Sequence, residues 1–367
     1  RAPSAVATAS GAMPTRARLN PILAAFSTRI LRADPLIEVE ELQPAEVEYL
    51  PPPAMLRGHL ERVTGTDEHS ALAYHLDAAQ AAKVVHAPVL RKRVKNAVVA
   101  VEGIATARWK EQNSRELISA ALTRSARTVE TIRYCHDYVS WRYFGHWLTD
   151  AIPTSLIDTA PDSALWMPAR PEWSHAEPYK RVLGVTTLDA DLVFAREALL
   201  YQDFGQGSHK RKRYARIRAQ LQARYGGEQT AAPVFLSRGR TGVARLIHEE
   251  DRLMEEMTRQ GWTVLDISRA SVDELQATLC NASIVVSIDG SHLAHAHMSL
   301  KPGSAMIVLL PHDRFTTIHL GFCNANRVSA GLVVLQGSRT DGYRVDLDEV
   351  NATIDLAQAR LSRLPPP

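Results

Sequence analysis

The stretch Ser287-Ile288-Asp289-Gly290-Ser291-His292-Leu293-Ala294-His295 lies between two apolar runs, at 283–286 and 305–310. Open α/β sheets build anion-binding sites from an apolar strand, a Gly/Ser turn and a helix start, because the free N–H groups and the helix dipole point at one place. The upstream segment Pro233-Val234-Phe235-Leu236-Ser237-Arg238-Gly239-Arg240 ends a predicted strand with two arginines. Together the two segments predict a pocket for a phosphorylated ligand, and we expect a nucleotide.

The composition is that of an ordinary globular protein and favours two domains. Of 367 residues, 45% are hydrophobic and 23% are charged, and a chain of this length exceeds one ordinary hydrophobic core. The formal net charge of +3 argues against a nucleic-acid-binding protein that relies on a strongly basic surface. Three widely separated cysteines, Cys135, Cys280 and Cys323, fit a reducing compartment better than a disulfide framework. With no visible targeting segment and no apolar run that could span a bilayer, we expect a cytoplasmic protein.

One local departure from this charge balance is the basic run His209-Lys210-Arg211-Lys212-Arg213, which Arg216 and Arg218 follow. It can be interpreted as a solvated helix face. It can also be interpreted as a contact of Lys210 to Arg218 with an anionic membrane surface or a lipid-linked phosphate acceptor. The residue types alone leave both interpretations open.

Alternating strand and helix patterns predict an α/β fold that divides near Gly226-Gly227. Val- and Ile-rich strands that alternate with helices are typical of parallel sheets, whose ligands bind beyond the carboxyl ends of the strands. Ser271 and Glu274 are placed as a capping box. We expect an irregular lead-in over 1–75, an α/β domain over 76–226, a second α/β domain over 227–345, and a terminal segment 346–367 whose helix, 347–361, packs back on the first domain.

A candidate catalytic pair lies in the first domain, within Tyr143 to Asp150. If this segment is helical, His146 and Asp150 are four residues apart and share one face. A carboxylate that is hydrogen-bonded to an imidazole makes a reasonable general base, because each partner orients the other. The alternative is a polar pair that only stabilises a helix near the surface.

Arginines and histidines supply the candidate ligand-binding residues of the second domain. Arg238, Arg240 and Arg245 follow a strand end, and planar guanidinium groups match the oxygens of a diphosphate; alternatively they form a surface cluster that pairs with neighbouring acids. His292, His295, His297 and Asp289 contain the atoms for a zinc site. A helix that starts near Ser291 would turn His297 away from the other two histidines, so we expect no metal.

Several of these segments, in order, resemble the motifs of family 61 glycosyltransferases. Residues 144–153 are similar to the family's aromatic-Gly-His-aromatic-x-x-Asp-x-x-Pro motif, and Leu236-Ser237-Arg238 with Arg245 is similar to its Ser-Arg signature. Residues 286–293 resemble its Gly-x-His-Gly-Ala-Gly-Leu turn, and 301–311 resemble its Pro-Gly … Val-Glu-Leu-x-Pro tail. The resemblance covers roughly residues 95 to 345.

The resemblance implies two Rossmann-like domains in the GT-B arrangement, with a cleft between them and a nucleotide-sugar donor bound by the second. It also implies transfer with inversion at the anomeric carbon and no metal cofactor. Asp150, with His146, is then the candidate for the base that deprotonates the acceptor hydroxyl, or for orienting the acceptor. The candidates for binding the diphosphate are Arg238, Arg240 and Arg245, with the N–H groups near Gly290 and Ser291.

Three residues depart from the family pattern. Asp289 stands where the family has its turn histidine, His292 stands where it has the last turn glycine, and His248 replaces an asparagine. An aspartate that faced a diphosphate would repel it, so we expect Asp289 to meet sugar or ribose hydroxyls or to point into the protein. His292 or His295 would then take over the phosphate contact.

The function expected from the resemblance is a bacterial glycosyltransferase that builds a surface polysaccharide, such as capsule or lipopolysaccharide. Its partners would be a nucleotide-sugar donor and a glycan or lipid-linked glycan acceptor, with no nucleic acid and no cofactor. Two alternatives stay open. One is a GT-B sugar-nucleotide epimerase, and the other is a non-catalytic module that binds nucleotide sugar or polysaccharide during assembly.

Overall fold

The structure is a computed structural model, and it describes residues 37–68, 70–106, 109–112, 117, 123–157, 163–230, 232–239 and 245–364. Within these residues the chain forms two large sheets, which confirms the α/β fold class. A layer of helices lies between the sheets, and the candidate site residues lie at the edge of this layer.

The first sheet has seven strands and mixed direction. Its strands are β1 (Ile37–Gln43), β4 (Val89–Ala100), β5 (Gly103–Ala105), β6 (Lys110–Gln112), β7 (Arg127–Tyr134), β8 (Ala164–Trp166) and β9 (Leu192–Gln202). β7 pairs parallel with β8 and with β9, while β4 pairs antiparallel with β1, β5 and β9. The expectation of a Rossmann-like parallel sheet here is therefore wrong. A separate hairpin joins β2 (Glu46–Tyr49) to β3 (Lys83–His86).

The second sheet has the order β11-β10-β12-β13-β14-β15. Its strands are β10 (Val234–Ser237), β11 (Thr263–Asp266), β12 (Ile284–Ile288), β13 (Ala305–Pro311), β14 (Ser329–Ser338) and β15 (Gly342–Arg344). The first five are parallel, and β15 is antiparallel. Because β11 lies on one side of β10 and β12 on the other, the strand order reverses there. This reversal places a topological switch point at the carboxyl ends of β10 and β12.

Of the described helices, two are long, with 18 and 15 residues, and the others have ten residues or fewer. In chain order the described helices are α1 (Leu72–Gln80), α2 (Tyr138–Arg142), α3 (Phe144–His146), α4 (Ile152–Thr154), α5 (Ala176–Val182), α6 (Ser208–Tyr225), α7 (Glu250–Arg259), α8 (Val272–Leu279), α9 (Ala294–Ser299), α10 (Ile318–Asn326) and α11 (Leu347–Leu361). A π-helical turn, Trp147–Ala151, joins α3 to α4. The capping box of Ser271 and Glu274 is confirmed at the start of α8, since each side chain binds the backbone N–H of the other residue.

The two halves of the chain share one buried apolar cluster. It contains Trp147, Tyr179 and Tyr214 from the first half, with Ala294 and Phe322 from the second. At this layer the halves are packed together, in contrast to the expected cleft between two separate domains. The GT-B arrangement and the domain boundaries stay predictions.

The structure adds contacts or elements in three further segments for which the sequence predicted a different arrangement or none. Within the expected lead-in over 1–75, Ala54 bridges Gly331 of β14, and α1, which begins at Leu72, contributes Ala79 to the core of the second sheet. Helix α11 packs on β13 and β14 and not on the first sheet. In the second half, residues 312–346, to which no element was assigned, form α10, β14 and β15.

The basic run is part buried and part solvated, and its contact with a membrane surface stays a prediction. Lys210 and Arg218 are buried, at 1% and 8% exposed. These two cations point into the protein because α6 also carries the apolar side chains that pack on the shared cluster. Lys212 and Arg216 are exposed. Among the residues that the structure describes, no helix is both long and apolar enough to cross a membrane.

Candidate functional site

The switch point of the second sheet gathers three arginines. Arg238 directly follows β10, Arg314 follows β13, and Arg245 reaches the loop after β12, where its Nη1 donates to the carbonyl of Asp289 at 2.7 Å. Arg238 is 7% exposed, and the side chains of Arg245 and Arg314 are 9% and 22% exposed. Arg240, the fourth candidate, lies outside the described residues. The structure thus brings Arg238 and Arg245 together and adds Arg314.

Asp289 lies among these arginines and points into the protein. Its carboxylate is 3.2 Å from Arg245 Nη1 and 4.0 Å from Arg314 Nε, and it accepts a 2.9 Å hydrogen bond from His319 Nε2. Burial raises the pKa of Asp289, but Arg245 and the His319 hydrogen bond outweigh burial and hold the pKa well below its usual range. Of the two expectations for Asp289, this geometry favours the inward orientation, in which the residue aligns Arg245.

Acids beside the arginines balance part of their charge. Besides Asp289, the acid that faces them is Asp67, whose Oδ2 is 3.9 Å from Arg314. Burial lowers the pKa of Arg238 to about 10, and repulsion from Arg245 and Arg314 adds to this, while Asp289 opposes it. Even so, the guanidinium groups of Arg238 and Arg245 stay charged at neutral pH. Partly desolvated guanidinium groups gathered at one point make a site that favours an anion such as a diphosphate.

The turn after β12 leaves no room for a side chain at Gly290. A Cβ atom there would come within 2.8 Å of His292 Nδ1 and 3.3 Å of Arg238 Nε. Ser291 begins a short 3-10 turn, Ser291–Leu293, that leads into α9. The backbone of Gly290, an imidazole nitrogen of His292 and the guanidinium group of Arg238 therefore lie close together at this turn.

The three histidines of this region point in three directions. His292 Nε2 lies 2.7 Å from Ser287 Oγ, at the switch point. His295 instead contacts the first half of the chain, where its Nδ1 is 2.5 Å from the hydroxyl of Tyr179 and its ring faces Phe144. His297 pairs with His319 at 2.9 Å. His295 is therefore part of the packing between the halves, and the expectation that it contacts phosphate is wrong.

The catalytic pair expected in the first half is formed. His146 Nδ1 lies 2.6 Å from Asp150 Oδ2, across the junction of α3 and the π-helical turn. Such turns are frequent at functional sites, because they reorient side chains within a helix. The hydroxyl of Tyr214 donates to the carbonyl of Thr149 at 2.6 Å and so holds the turn in place. The side chains of His146 and Asp150 are 22% and 24% exposed, so the pair faces an accessible surface.

A buried lysine holds the other oxygen of Asp150. Lys210 Nζ donates to Asp150 Oδ1 at 2.8 Å and to the carbonyl of Asp203 at 2.7 Å. The carboxylate of Asp203 is in turn bound by Arg213 at 2.6 Å and by Thr154 at 3.0 Å. These contacts form a chain of alternating cations and carboxylates that ends at the imidazole of His146. In order, its members are Arg213, Asp203, Lys210, Asp150 and His146.

These contacts fix which residue of the pair can accept a proton. Burial raises the pKa of Asp150, but Lys210 and His146 outweigh it and hold the pKa well below its usual range. A carboxylate with so low a pKa is a weak base, and its function is to orient the imidazole. Because the Nδ1–H of His146 donates to Asp150, its Nε2 carries the lone pair. No described residue hydrogen-bonds to that nitrogen. His146 is therefore the better candidate base.

A glycine joins the two parts of the site. A Cβ at Gly145 would lie 3.0 Å from Ser291 Cα and 3.2 Å from Ser291 O. The residue before His146 therefore packs directly on the turn that follows β12. The aromatic-Gly-His motif thus has a physical reason for its glycine, since only glycine allows the two segments to approach so closely.

Sequence reasoning missed Lys210, Asp203, Arg314 and His319. A signal was present for Lys210, since it precedes Tyr214, Ile217 and Leu221 at helical spacing and so falls on the buried face of α6. Arg314 also has a local signal, because it follows the carboxyl end of the apolar run at 305–310. Asp203 and His319 carry no local signal. Among the described residues, no group of three or more His, Cys, Asp or Glu side chains is arranged to hold a metal ion.

The family model of Glycosyltransferase 61 matches residues 144–307. The match begins at α3 and ends within β13, so it covers His146, Asp150, Arg238, Arg245 and the turn after β12. Arg314 and His319 lie beyond it. No curated protein matches the chain.

Proposed function

We propose that this chain, which belongs to glycosyltransferase family 61 through residues 144–307, transfers a sugar from a nucleotide-sugar donor to a glycan acceptor with inversion at the anomeric carbon. Family membership makes the chain a glycosyl-transfer protein with a sugar donor and an acceptor. The nucleotide, the inversion and the roles of individual residues are our proposal.

One observation carries the proposal: the direct contact between Gly145 and Ser291. This contact supports the proposal, because it brings the residue before the candidate base against the turn that borders the candidate anion site, and a displacement at an anomeric carbon needs both groups. One group must remove a proton from the attacking hydroxyl while cations stabilise the charge that develops on the leaving diphosphate. His146 serves the first need, and Arg238, Arg245 and Arg314 serve the second.

In the proposed reaction the acceptor hydroxyl oxygen forms a bond to the anomeric carbon as the bond from that carbon to the diphosphate oxygen breaks. The hydroxyl proton goes to Nε2 of His146, and Asp150 stabilises the imidazolium that results. The bonding electrons leave with the nucleoside diphosphate, whose additional charge the three arginines bind. A single displacement of this kind inverts the anomeric centre.

The acceptor and the compartment stay predictions from the sequence. A bacterial surface polysaccharide, such as capsule or lipopolysaccharide, remains the expected product, and the cytoplasm remains the expected location. The absence of a suitable metal cluster among the described residues is compatible with the proposed metal-independent transfer but is no evidence for it.

The test separates donor binding from transfer. Nucleoside diphosphates and nucleotide sugars are screened for those that raise the melting temperature, because a ligand of the native state stabilises it. For the best ligand, Arg238→Gln is expected to weaken binding, whereas His146→Asn is expected to leave binding intact and to lower transfer by about 10²–10⁴-fold. The proposal fails if no such ligand stabilises the protein, or if His146→Asn transfers sugar at the wild-type rate.

A further inference from the structure

The turn after β12 carries a buried imidazole nitrogen that has no hydrogen-bond partner. His292 is 7% exposed, and its Nδ1 is without a partner in the described structure. An unsatisfied buried polar atom is costly and rare in a native protein. Here it lies at the switch point of the second sheet, next to Arg238.

The surrounding hydrogen bonds fix the tautomer of this ring. Ser287 Oγ donates its only hydrogen to the carbonyl of Leu236 at 2.5 Å. The 2.7 Å contact between Ser287 Oγ and His292 Nε2 must therefore use a proton on Nε2. Burial, together with the positive charge of Arg238, lowers the pKa of His292 well below its usual value, so the ring is neutral. Its Nδ1 is consequently a bare acceptor.

His292 Nδ1 and Arg238 Nε lie on the same side of Gly290. A Cβ built on Gly290 would lie 2.8 Å from His292 Nδ1 and 3.3 Å from Arg238 Nε. A ligand group that reaches this side of the turn would therefore meet an acceptor beside a cation. A phosphate oxygen suits the guanidinium, but it has no hydrogen to offer the imidazole nitrogen.

We propose that His292 is a specificity residue, which accepts a hydrogen bond from a hydroxyl or N–H group that the donor substrate carries beside its diphosphate. The inference rests on the proposed function, because it assumes that Arg238 and Arg245 bind the diphosphate. It replaces the expectation that His292 binds phosphate. It also gives a chemical role to a residue that stands where the family pattern has glycine.

The test uses three probes that share a diphosphate and differ in hydroxyl groups. These are the nucleotide sugar that most stabilises the protein, its nucleoside diphosphate, and inorganic pyrophosphate, with binding measured by calorimetry. His292→Phe keeps a ring and removes the acceptor, so it is expected to weaken nucleotide-sugar binding about tenfold and to leave pyrophosphate binding unchanged. The nucleoside diphosphate distinguishes ribose or base from sugar as the source of the group.

Two more variants separate the acceptor from the bulk of the ring. His292→Asn places an amide oxygen near the position of Nδ1 and is expected to restore most of the affinity. Ser287→Ala keeps the imidazole but removes the hydroxyl that fixes its proton on Nε2. We expect a loss of nucleotide-sugar affinity smaller than that of His292→Phe. By contrast, Arg238→Gln is expected to weaken binding of all three probes.

The outcomes of the inference and of the proposed function can be told apart. If all three probes fail to bind wild-type protein, the proposed function fails and the inference with it. The inference alone is overturned if the probes bind wild-type protein but His292→Phe weakens the binding of pyrophosphate as much as the binding of nucleotide sugar. It is also overturned if His292→Phe leaves both affinities unchanged. A ¹⁵N spectrum of the free protein gives a readout without ligand. The proposal requires the proton of His292 on Nε2, and finding it on Nδ1 would contradict it.

Discussion

Replacing Lys210 by methionine tests the contact that holds the catalytic pair. Methionine keeps much of the apolar stem and removes the ammonium group, which is 1% exposed and lies 2.8 Å from Asp150 Oδ1 and 2.7 Å from the carbonyl of Asp203. Removing one partner of a buried ion pair costs about 3–5 kcal/mol. We expect the lower end, about 3 kcal/mol, because Asp203 keeps Arg213, and Asp150 keeps His146 and stays 24% exposed.

The pH dependence of this loss has a definite sign. Because the pKa of Asp150 is depressed in the folded protein, its ionised form contributes stability above its unfolded pKa, about 3.9. That contribution is lost as the pH falls through the folded pKa. Since Lys210 is the largest of the groups that lower this pKa, the stability difference between wild type and Lys210→Met is expected to be full at pH 7 and to shrink below about pH 4.

Urea unfolding at pH 7 and at pH 3 measures both quantities. Transfer by Lys210→Met is expected to fall about ten- to hundredfold, which corresponds to about 1.4–2.7 kcal/mol, because Asp150 can then rotate away from His146. Lys212→Met is the matched control, since this lysine is exposed on the same helix, and a change within about 0.5 kcal/mol is expected. A loss of less than about 1 kcal/mol in Lys210→Met, together with unchanged transfer, would refute the reasoning.

Two other substitutions test the remaining parts of the site. Gly145→Ala is expected to cost about 1 kcal/mol of stability and most of the transfer activity. The reason is that the new Cβ would lie 3.0 Å from Ser291 Cα and must push the turn away. Wild-type transfer in a folded variant would contradict this contact. Arg314→Gln is expected to weaken nucleotide binding about ten- to 150-fold, because hydrogen bonds to charged groups contribute about 1.5–3 kcal/mol. Arg339→Gln, whose side chain is 65% exposed, is the control and should bind as wild type does. Unchanged affinity in Arg314→Gln, measured by calorimetry, would remove this residue from the site.

The second sheet was largely predictable because the pattern of each strand and helix cap lies within its own short segment of sequence. β10, β12 and β13 are mostly apolar runs, and the α8 capping box needs only two residues three positions apart in the chain, Ser271 and Glu274. Short apolar strands that alternate with helices leave few possible folds. The sequence therefore placed Arg238 and the turn after β12 at one edge of a sheet, and the structure confirms their proximity.

The first sheet was not predictable in the same way. Its central strand β9, Leu192–Gln202, contains alanine, arginine, glutamate and leucine, which favour helices. Pairing with β4 on one side and β7 on the other makes it a strand, and such long-range pairing leaves no local pattern. For the same reason Asp203, which follows β9, could not be connected to Lys210 and the catalytic pair.

The central claim is that the diphosphate of a nucleotide sugar binds where β10 and β12 diverge, beside His146. The most direct measurement is an experimental structure of the protein with the nucleoside diphosphate that stabilises it most. The account predicts diphosphate oxygens about 3 Å from the guanidinium groups of Arg238, Arg245 and Arg314, with Nε2 of His146 facing the same space. A nucleotide bound away from the carboxyl ends of these strands, or a diphosphate separated from His146 by the packed helices, would contradict it.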